Sequence, residues 1–307
     1  MSPSLSLSLS YRVAFTLIEL LVVIAIIGIL SGLIVVSMSG VTKKATIAKA
    51  QVFSNSLRNS LMMNIVGEWK FDGSTADGTA ATDSDVLDTW GNVNDGNVSL
   101  LALANRPIVK KDSNCVSGSC LSFDGGDYVD CKTSDSLNVY NVFTVEAWIK
   151  PNVYSNFMTW VARQGDAGNS QWRVTMGNTG TQWGITWHNG TVYRDLWGGA
   201  LNIEKWNHVV IVVNGNNQYF YRDGLLEFPK TQTNDIRNLT NRLTRIGYQW
   251  DNTAYFNGSI DNVRIYNVAI PTSQIKEQYY TGLNKLFANG GITQEEYSQR
   301  LNGLASK

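Results

Sequence analysis

Four glutamates could in principle serve as a general acid or base, Glu68, Glu146, Glu204 and Glu227, but they are scattered singly along the chain. Glycoside hydrolysis needs two carboxylates held a few ångströms apart, and no Glu-x-Asp-x-Glu run supplies them. Serine nucleophile elbows and phosphate-cradling glycine loops are also missing from the sequence. Catalysis is therefore not expected. The cysteines are Cys115, Cys120 and Cys131. In an oxidising compartment the short Val-Ser-Gly-Ser loop between Cys115 and Cys120 favours a local disulfide, with three free thiols as the alternative. Only His188 and His208 accompany them, so a zinc site is not expected. The richest chemical feature is aromatic: Trp160, Trp172, Trp183, Trp187, Tyr193 and Trp197 crowd one stretch. Exposed rings stack on the apolar faces of sugars while nearby Asn and Asp bind hydroxyls, which makes this stretch a candidate glycan platform. Tryptophans also fill β-sheet cores; Trp206 reads as core and His208 as a structural residue.

The elements that would position these residues follow from composition and periodicity. At 307 residues the chain can hold one sizeable core in one or two domains. Lys plus Arg and Asp plus Glu balance at 25 each, so no net field draws the chain to nucleic acid or holds it on an anionic membrane surface. With 16% charged residues, 10 Trp and 13 Tyr, the composition is that of secreted β-rich proteins.

From Leu20 to Thr42 no residue is charged, a run long enough to span a bilayer. Helix-compatible spacing continues through Ala45, Ala48, Val52, Phe53, Leu57 and Leu61, with Lys43, Lys44, Lys49 and Arg58 between them. A single helix from Phe15 to Met63 would be roughly 70 Å long. Gly28 and Gly32 form a small-xxx-small pair suited to close helix packing in lipid.

The stretch Ala14-Phe15-Thr16-Leu17-Ile18-Glu19-Leu20-Leu21-Val22-Val23-Ile24-Ala25-Ile26-Ile27-Gly28 resembles the type IV prepilin signature. The resemblance implies cleavage by a prepilin peptidase between Ala14 and Phe15 and methylation of the new N-terminus, with Glu19 as the fifth mature residue. A lone carboxylate in an apolar helix is costly unless a cation meets it. In the family that cation is the N-terminal amine of a neighbouring subunit, which makes Glu19 an assembly residue and other pilin subunits and the pilus assembly machinery the partners. Ala14 departs from the family's usual Gly, and the Ser-Leu leader Met1–Ala14 carries only Arg12 as a basic residue. The implied location is a single-pass membrane protein before assembly, then a pilus or cell surface with the C-terminal domain outside.

After Asn64 the period changes to alternation, beginning at Ile65-Val66-Gly67-Glu68-Trp69. Phe143, Val145, Ala147 and Ile149 line one face of a strand, Trp206 to Asn214 and Gln218 to Arg222 read as a hairpin, and Asp223-Gly224 marks a tight turn. About a dozen strands fit a two-sheet sandwich. Leu121-Ser122-Phe123-Asp124-Gly125, Phe143 to Pro151, Trp206 to Val209, Tyr219 to Gly224, Ile246-Gly247 and Phe256 to Asn267 together resemble the laminin G-like, concanavalin A-like jelly-roll family. That resemblance implies an adhesive, glycan-binding or protein-binding head. It also implies calcium as a structural ion, with Asp72, Asp88, Asp95 and Asp261 as candidate ligands and Asp261 favoured by its Gly-x-Ile-Asp setting.

Leu283 to Ala288 and Ile292 to Leu304 read as two short helices about Asn289-Gly290-Gly291, with a Thr293/Glu296 capping box. The organisation expected is a leader (1–14), a transmembrane and pilin-like helix (15–63), a jelly-roll domain (64–280) and a helical tail (281–307). The function expected is a minor pilin or pseudopilin displaying its head; the alternative is a membrane-anchored carbohydrate-active enzyme of the same fold.

Overall fold

Alternation of apolar and polar positions sets the architecture of the head. The computed structural model describes residues 17–28, 64–91, 94–165, 170–177, 182–248 and 254–305. The chain divides into two compact units, Met1–Asn59 and Ser60–Lys307. In the first, residues 17–28 form a helix, α1, whose side chains are exposed and whose first turn carries Glu19. Among the described residues no helix is long and apolar enough to cross a membrane. Ala14, Phe15 and the rest of the expected long helix lie outside the described residues.

The second unit is a sandwich of two antiparallel sheets. The larger runs β12 (Leu225–Thr231), β11 (Asn217–Arg222), β10 (Asn207–Asn214), β5 (Val142–Pro151), β14 (Asn257–Tyr266), β3 (Ser119–Asp124) and β2 (Ile108–Lys111), with β1 (Ile65–Trp69) also paired to β14. The smaller runs β4 (Val129–Thr133), β13 (Leu243–Ile246), β6 (Thr159–Gln164), β7 (Trp172–Met176), β8 (Gln182–His188) and β9 (Tyr193–Ala200).

Because successive side chains point to opposite faces, one parity of each strand fills the core between the sheets. Phe143, Val145, Ala147 and Ile149 of β5 do so as expected, with Val209, Ile211 and Val213 of β10 beside them. On β14 the alternation slips, since Ile260, Val263 and Ile265 are all inward. A register shift between Asp261 and Arg264, with Asn262 at φ 51°, absorbs the extra residue. The β11–β12 hairpin turns at Asp223 (φ 52°) and Gly224 (φ 75°), the two left-handed residues that a tight hairpin turn requires.

The outer face of the larger sheet is covered by two helices, α2 (Thr272–Ala288) and α3 (Gln294–Ala305). The first starts eleven residues before the Leu283 expected from sequence, so the boundary at 280/281 falls inside α2. Pro271 stands at its N-cap, and Ile275, Tyr279, Leu283 and Leu286 form the buried stripe. Tyr279, Leu283 and Leu286 meet Trp148, Trp206, Val116 and the disulfide of Cys115 and Cys120, Ile275 packs with Val210, Val212, Tyr221 and Tyr266, and Tyr297, Leu301 and Leu304 of α3 close the edge. Cys131 is a free, buried thiol.

At Gly282 α2 lies close against the sheet: a Cβ there would lie 2.5 Å from Cζ2 of Trp148. Gly282→Ala should destabilise the head by about 1–3 kcal/mol in urea unfolding. Gly303→Ala, with open space around its Cα, should be neutral or stabilising by up to about 1 kcal/mol.

Candidate functional site

With the larger sheet's outer face covered by helices, the candidate surface is the outer face of the smaller sheet. Trp172, Val174 and Met176 of β7 and Trp183, Ile185 and Trp187 of β8 point into the core, so Arg173, Thr175, Gly184, Thr186 and His188 take the opposite parity, where Arg173, Thr175 and Thr186 are nevertheless buried. On β9, Tyr193 stands opposite His188, Asp195 opposite Thr186, and Trp197 opposite Gly184. The missing side chain at Gly184 matters locally, because a Cβ there would meet the Leu196 carbonyl oxygen at 1.9 Å.

Around Arg173 the rings gather. Its guanidinium carbon lies 5.1 Å from the Phe157 ring centre and 5.4 Å from that of Tyr193. Phe157 packs against Trp197 at 6.3 Å, and His188 meets Tyr193 edge-on at 4.8 Å. Phe157 itself adopts φ 56°, a strained backbone for a bulky residue, and such strain collects at functional surfaces. Tyr193 is 46% exposed. A second cluster lies on the same sheet two strands away. Arg245 of β13, which neighbours Ala162 in register and through it Arg173, stacks over Tyr128 and Tyr248 at 5.1 Å each. Tyr248 in turn stacks on Tyr255 at 4.5 Å, and Asp130 holds the Arg245 Nε at 3.3 Å.

The sequence-derived platform is thus divided. Tyr193 and Trp197 are on the outer face. Trp160, Trp172, Trp183 and Trp187 are fully buried core residues, because alternation gives them the inward parity. Their indoles are anchored from within: Trp172 Nε1 donates to the Val139 carbonyl at 2.9 Å and Trp183 Nε1 to Glu227 at 3.2 Å, and Trp187 Nε1 donates to Asp235. Phe157, Arg173, His188, Arg245, Tyr128, Tyr248 and Tyr255 were not singled out by sequence. The strand register, which places His188 and Gly184 beside Tyr193 and Trp197, was the signal that could have located the first of them.

Each of the four aspartates expected to bind calcium accepts at least one N–H donor. Asp72 Oδ1 accepts from Ser119 N at 2.9 Å. Asp88 accepts from the backbone of Glu68, Trp90 and Asn94 and from the Asn94 amide. Asp95 accepts from Asp88 N at 2.8 Å. Asp261 Oδ2 accepts from Val116 N at 2.9 Å and Ser117 N at 3.1 Å, holding the disulfide loop against β14. Burial, with Asp72 nearby, pushes the Asp261 carboxyl well above the usual range. These donors close turns and loops. Among the described residues no three His, Cys, Asp or Glu side chains converge.

Three of the four candidate glutamates, Glu68, Glu146 and Glu227, are engaged. Glu146 is wholly buried on the outer face of the larger sheet, beneath α2. Its Oε1 lies 2.9 Å from His208 Nε2 and accepts from Arg264 Nη1 at 3.1 Å, while Oε2 accepts from the Tyr266 hydroxyl at 3.1 Å. Glu68 meets Arg264 Nε at 2.7 Å, and Glu227 meets Arg222 Nε at 2.6 Å.

A family model matches residues 123–276, and its description is the concanavalin A-like lectin/glucanases superfamily. The chain belongs to that superfamily. Its two-sheet fold agrees with solved structures of the same kind. Domain 4 of AbnA, an extracellular arabinanase of Geobacillus stearothermophilus solved with arabinotriose, shares 18% identity at a TM-score of 0.54, over 70% of this chain and 97% of that one. The binding domain of Paraclostridial Mosquitocidal Protein 1 shares 15% at 0.53, over 73% of this chain and 53% of that one. At these identities the likeness establishes the fold. The comparison with curated proteins gave no match.

For this lectin/glucanase-superfamily head, burial alone would raise Glu146, but Arg264, His208 and Tyr266 together hold its carboxyl below the usual glutamate range. A folded value below the unfolded one stabilises the fold above the ordinary glutamate range, and that contribution is lost as pH falls through the folded value. Glu146→Gln should cost about 3 kcal/mol at neutral pH and flatten the acid limb of a stability-versus-pH curve measured by urea unfolding.

Proposed function

We propose that this chain is an extracellular display protein: a type IV pilin-like N-terminal helix carries a glycan-binding, non-catalytic concanavalin A-like head. The observation that supports the binding role is the aromatic cluster at the edge of the smaller sheet, where exposed Tyr193 and half-buried Phe157 flank the buried Arg173 and half-buried Trp197 packs on Phe157. Aromatic faces flanked by polar groups suit sugar rings, and the rigid sheet beneath them fixes their spacing. The solved AbnA domain with arabinotriose and the toxin binding domain of the same fold lend the reading context. The engagement of Glu68, Glu146 and Glu227 with arginines argues against a pair of catalytic carboxylates.

The anchoring role rests on the Ala14–Gly28 motif. In this reading a prepilin peptidase cuts before Phe15, Glu19 sets subunit register in the filament, and the bulky head suits a minor or tip position. Pilin subunits, the assembly machinery and surface glycans or proteins are the partners.

Two measurements test the two halves separately. Mass analysis of the mature chain should find an N-terminal methylated Phe15, and an intact Met1 would sink the pilin reading. On a glycan array the chain should retain oligosaccharides, and Tyr193→Ala with Trp197→Ala should weaken binding at least tenfold, at about 1–3 kcal/mol per lost stacking ring, without changing the unfolding transition. Undiminished binding by the double variant would move the site elsewhere.

A further inference from the structure

At the end of β6 two guanidiniums, those of Arg163 and Arg242, hold enclosed N–H groups that no described residue receives. Arg163 is wholly buried. It stands opposite Trp172, whose ring lies in the core, so its side chain takes the same inward face. Its Nε donates to Gln171 Oε1 at 2.8 Å, and its Nη1 donates to the Arg242 carbonyl at 3.0 Å and to the Thr244 hydroxyl at 3.3 Å. Its Nη2 is buried and has no acceptor. Gln171 extends the hold, its amide donating to Asn138 Oδ1 and to the Arg237 carbonyl at 2.9 Å each. The guanidinium is thereby fixed between the β4–β5 and β12–β13 connections.

Arg242 reaches the same place from the β12–β13 connection. Its half-buried side chain lies across Gly165, where a Cβ would stand 2.9 Å from its Cζ. Its Nε is enclosed without an acceptor, and among the described residues neither arginine enters an ion pair. Burial pulls the Arg163 pKa down to about 10, with the like charge of Arg242 adding to the fall and Asp135, exposed on the β4–β5 connection, opposing it from a distance. Two neighbouring cations with unfilled donors are costly until an anion meets them. The planar guanidinium fork matches the two oxygens of a carboxylate. At the rim Asn138 Nδ2 donates to Asn238 Oδ1 at 2.7 Å, which puts amide groups within the same loops for ring hydroxyls.

We propose that Arg163 and Arg242 form a carboxylate-binding site at this end of the sandwich, and that its ligand is an acidic sugar of the uronate class. Arg242, the more accessible of the two, meets the carboxylate first, and Arg163 Nη2 backs it from within. The inference rests on the glycan-binding reading above and narrows it to a class of glycan, at a site separate from Tyr193 and Trp197.

The test is calorimetric titration of the full chain in detergent with trigalacturonate and with its carboxyl-reduced neutral counterpart. The acidic trimer should bind about tenfold or more tightly than the neutral one. Arg242→Gln should abolish that preference while leaving the unfolding transition in place, and its half-exposed position keeps the test decisive should a change at Arg163 prevent folding. The Tyr193→Ala, Trp197→Ala double variant should keep the preference, so the aromatic face and the arginine site fail separately. Equal affinity for the two trimers, no binding of the acidic trimer at millimolar concentration, or an undiminished preference in Arg242→Gln would each overturn the site.

Discussion

The head is organised about one guanidinium. Arg264 on β14 stands opposite Glu146 on β5 and reaches Glu68 on β1, so a single side chain ties three strands on the outer face of the larger sheet. His208 on β10 joins the same carboxylate, and the Gln278 amide from α2 lies 2.7 Å from the Tyr266 hydroxyl that also binds it. The paired carboxylates raise the Arg264 pKa despite its burial. A charge held this close to the sheet is offset by the two carboxylates it pairs with, Glu68 and Glu146. Strand order around β5 and β14, and the seating of α2, therefore depend on one another through this contact.

The two outer faces of the sandwich are put to different uses. On the larger sheet, apolar and charged side chains are sealed beneath helices, with Trp148 stacked on Tyr279 at 5.6 Å. On the smaller sheet no described helix intervenes. Arginines there sit over aromatic rings, Arg173 over Phe157 and Tyr193 and Arg245 over Tyr128 and Tyr248, and Tyr193 remains exposed.

Much of the scaffold was legible from residue order. Strict alternation in β5 announced its inward face, Asp223-Gly224 announced its hairpin, and the spacing of Cys115 and Cys120 announced their bridge. Two features were not. The four buried tryptophans look like ligand platforms when only their density is read, because parity relative to the core is a property of register, and register is set by distant partners. The start of α2 was hidden because Thr272–Gly282 mixes polar residues with Ile275 and Tyr279, and its helical seat is dictated by the face of β5 it covers rather than by propensity. The β14 slip at Asn262 was visible as a broken alternation between Ile260 and Val263, yet only the paired strand shows that it turns Asp261 toward the disulfide loop.

Trp148, at the heart of the sealed face, is covered by α2 near the chain's end, and Gly224 in the β11–β12 turn lies against Tyr279 of α2 and Leu304, almost the last described residue. The outer face of the larger sheet is therefore finished only when α2 and α3 dock. With the helices unseated, the indoles of Trp148 and Trp206 would stand bare beside the Glu146–Arg264 pair, a sticky aromatic patch on an otherwise formed sandwich.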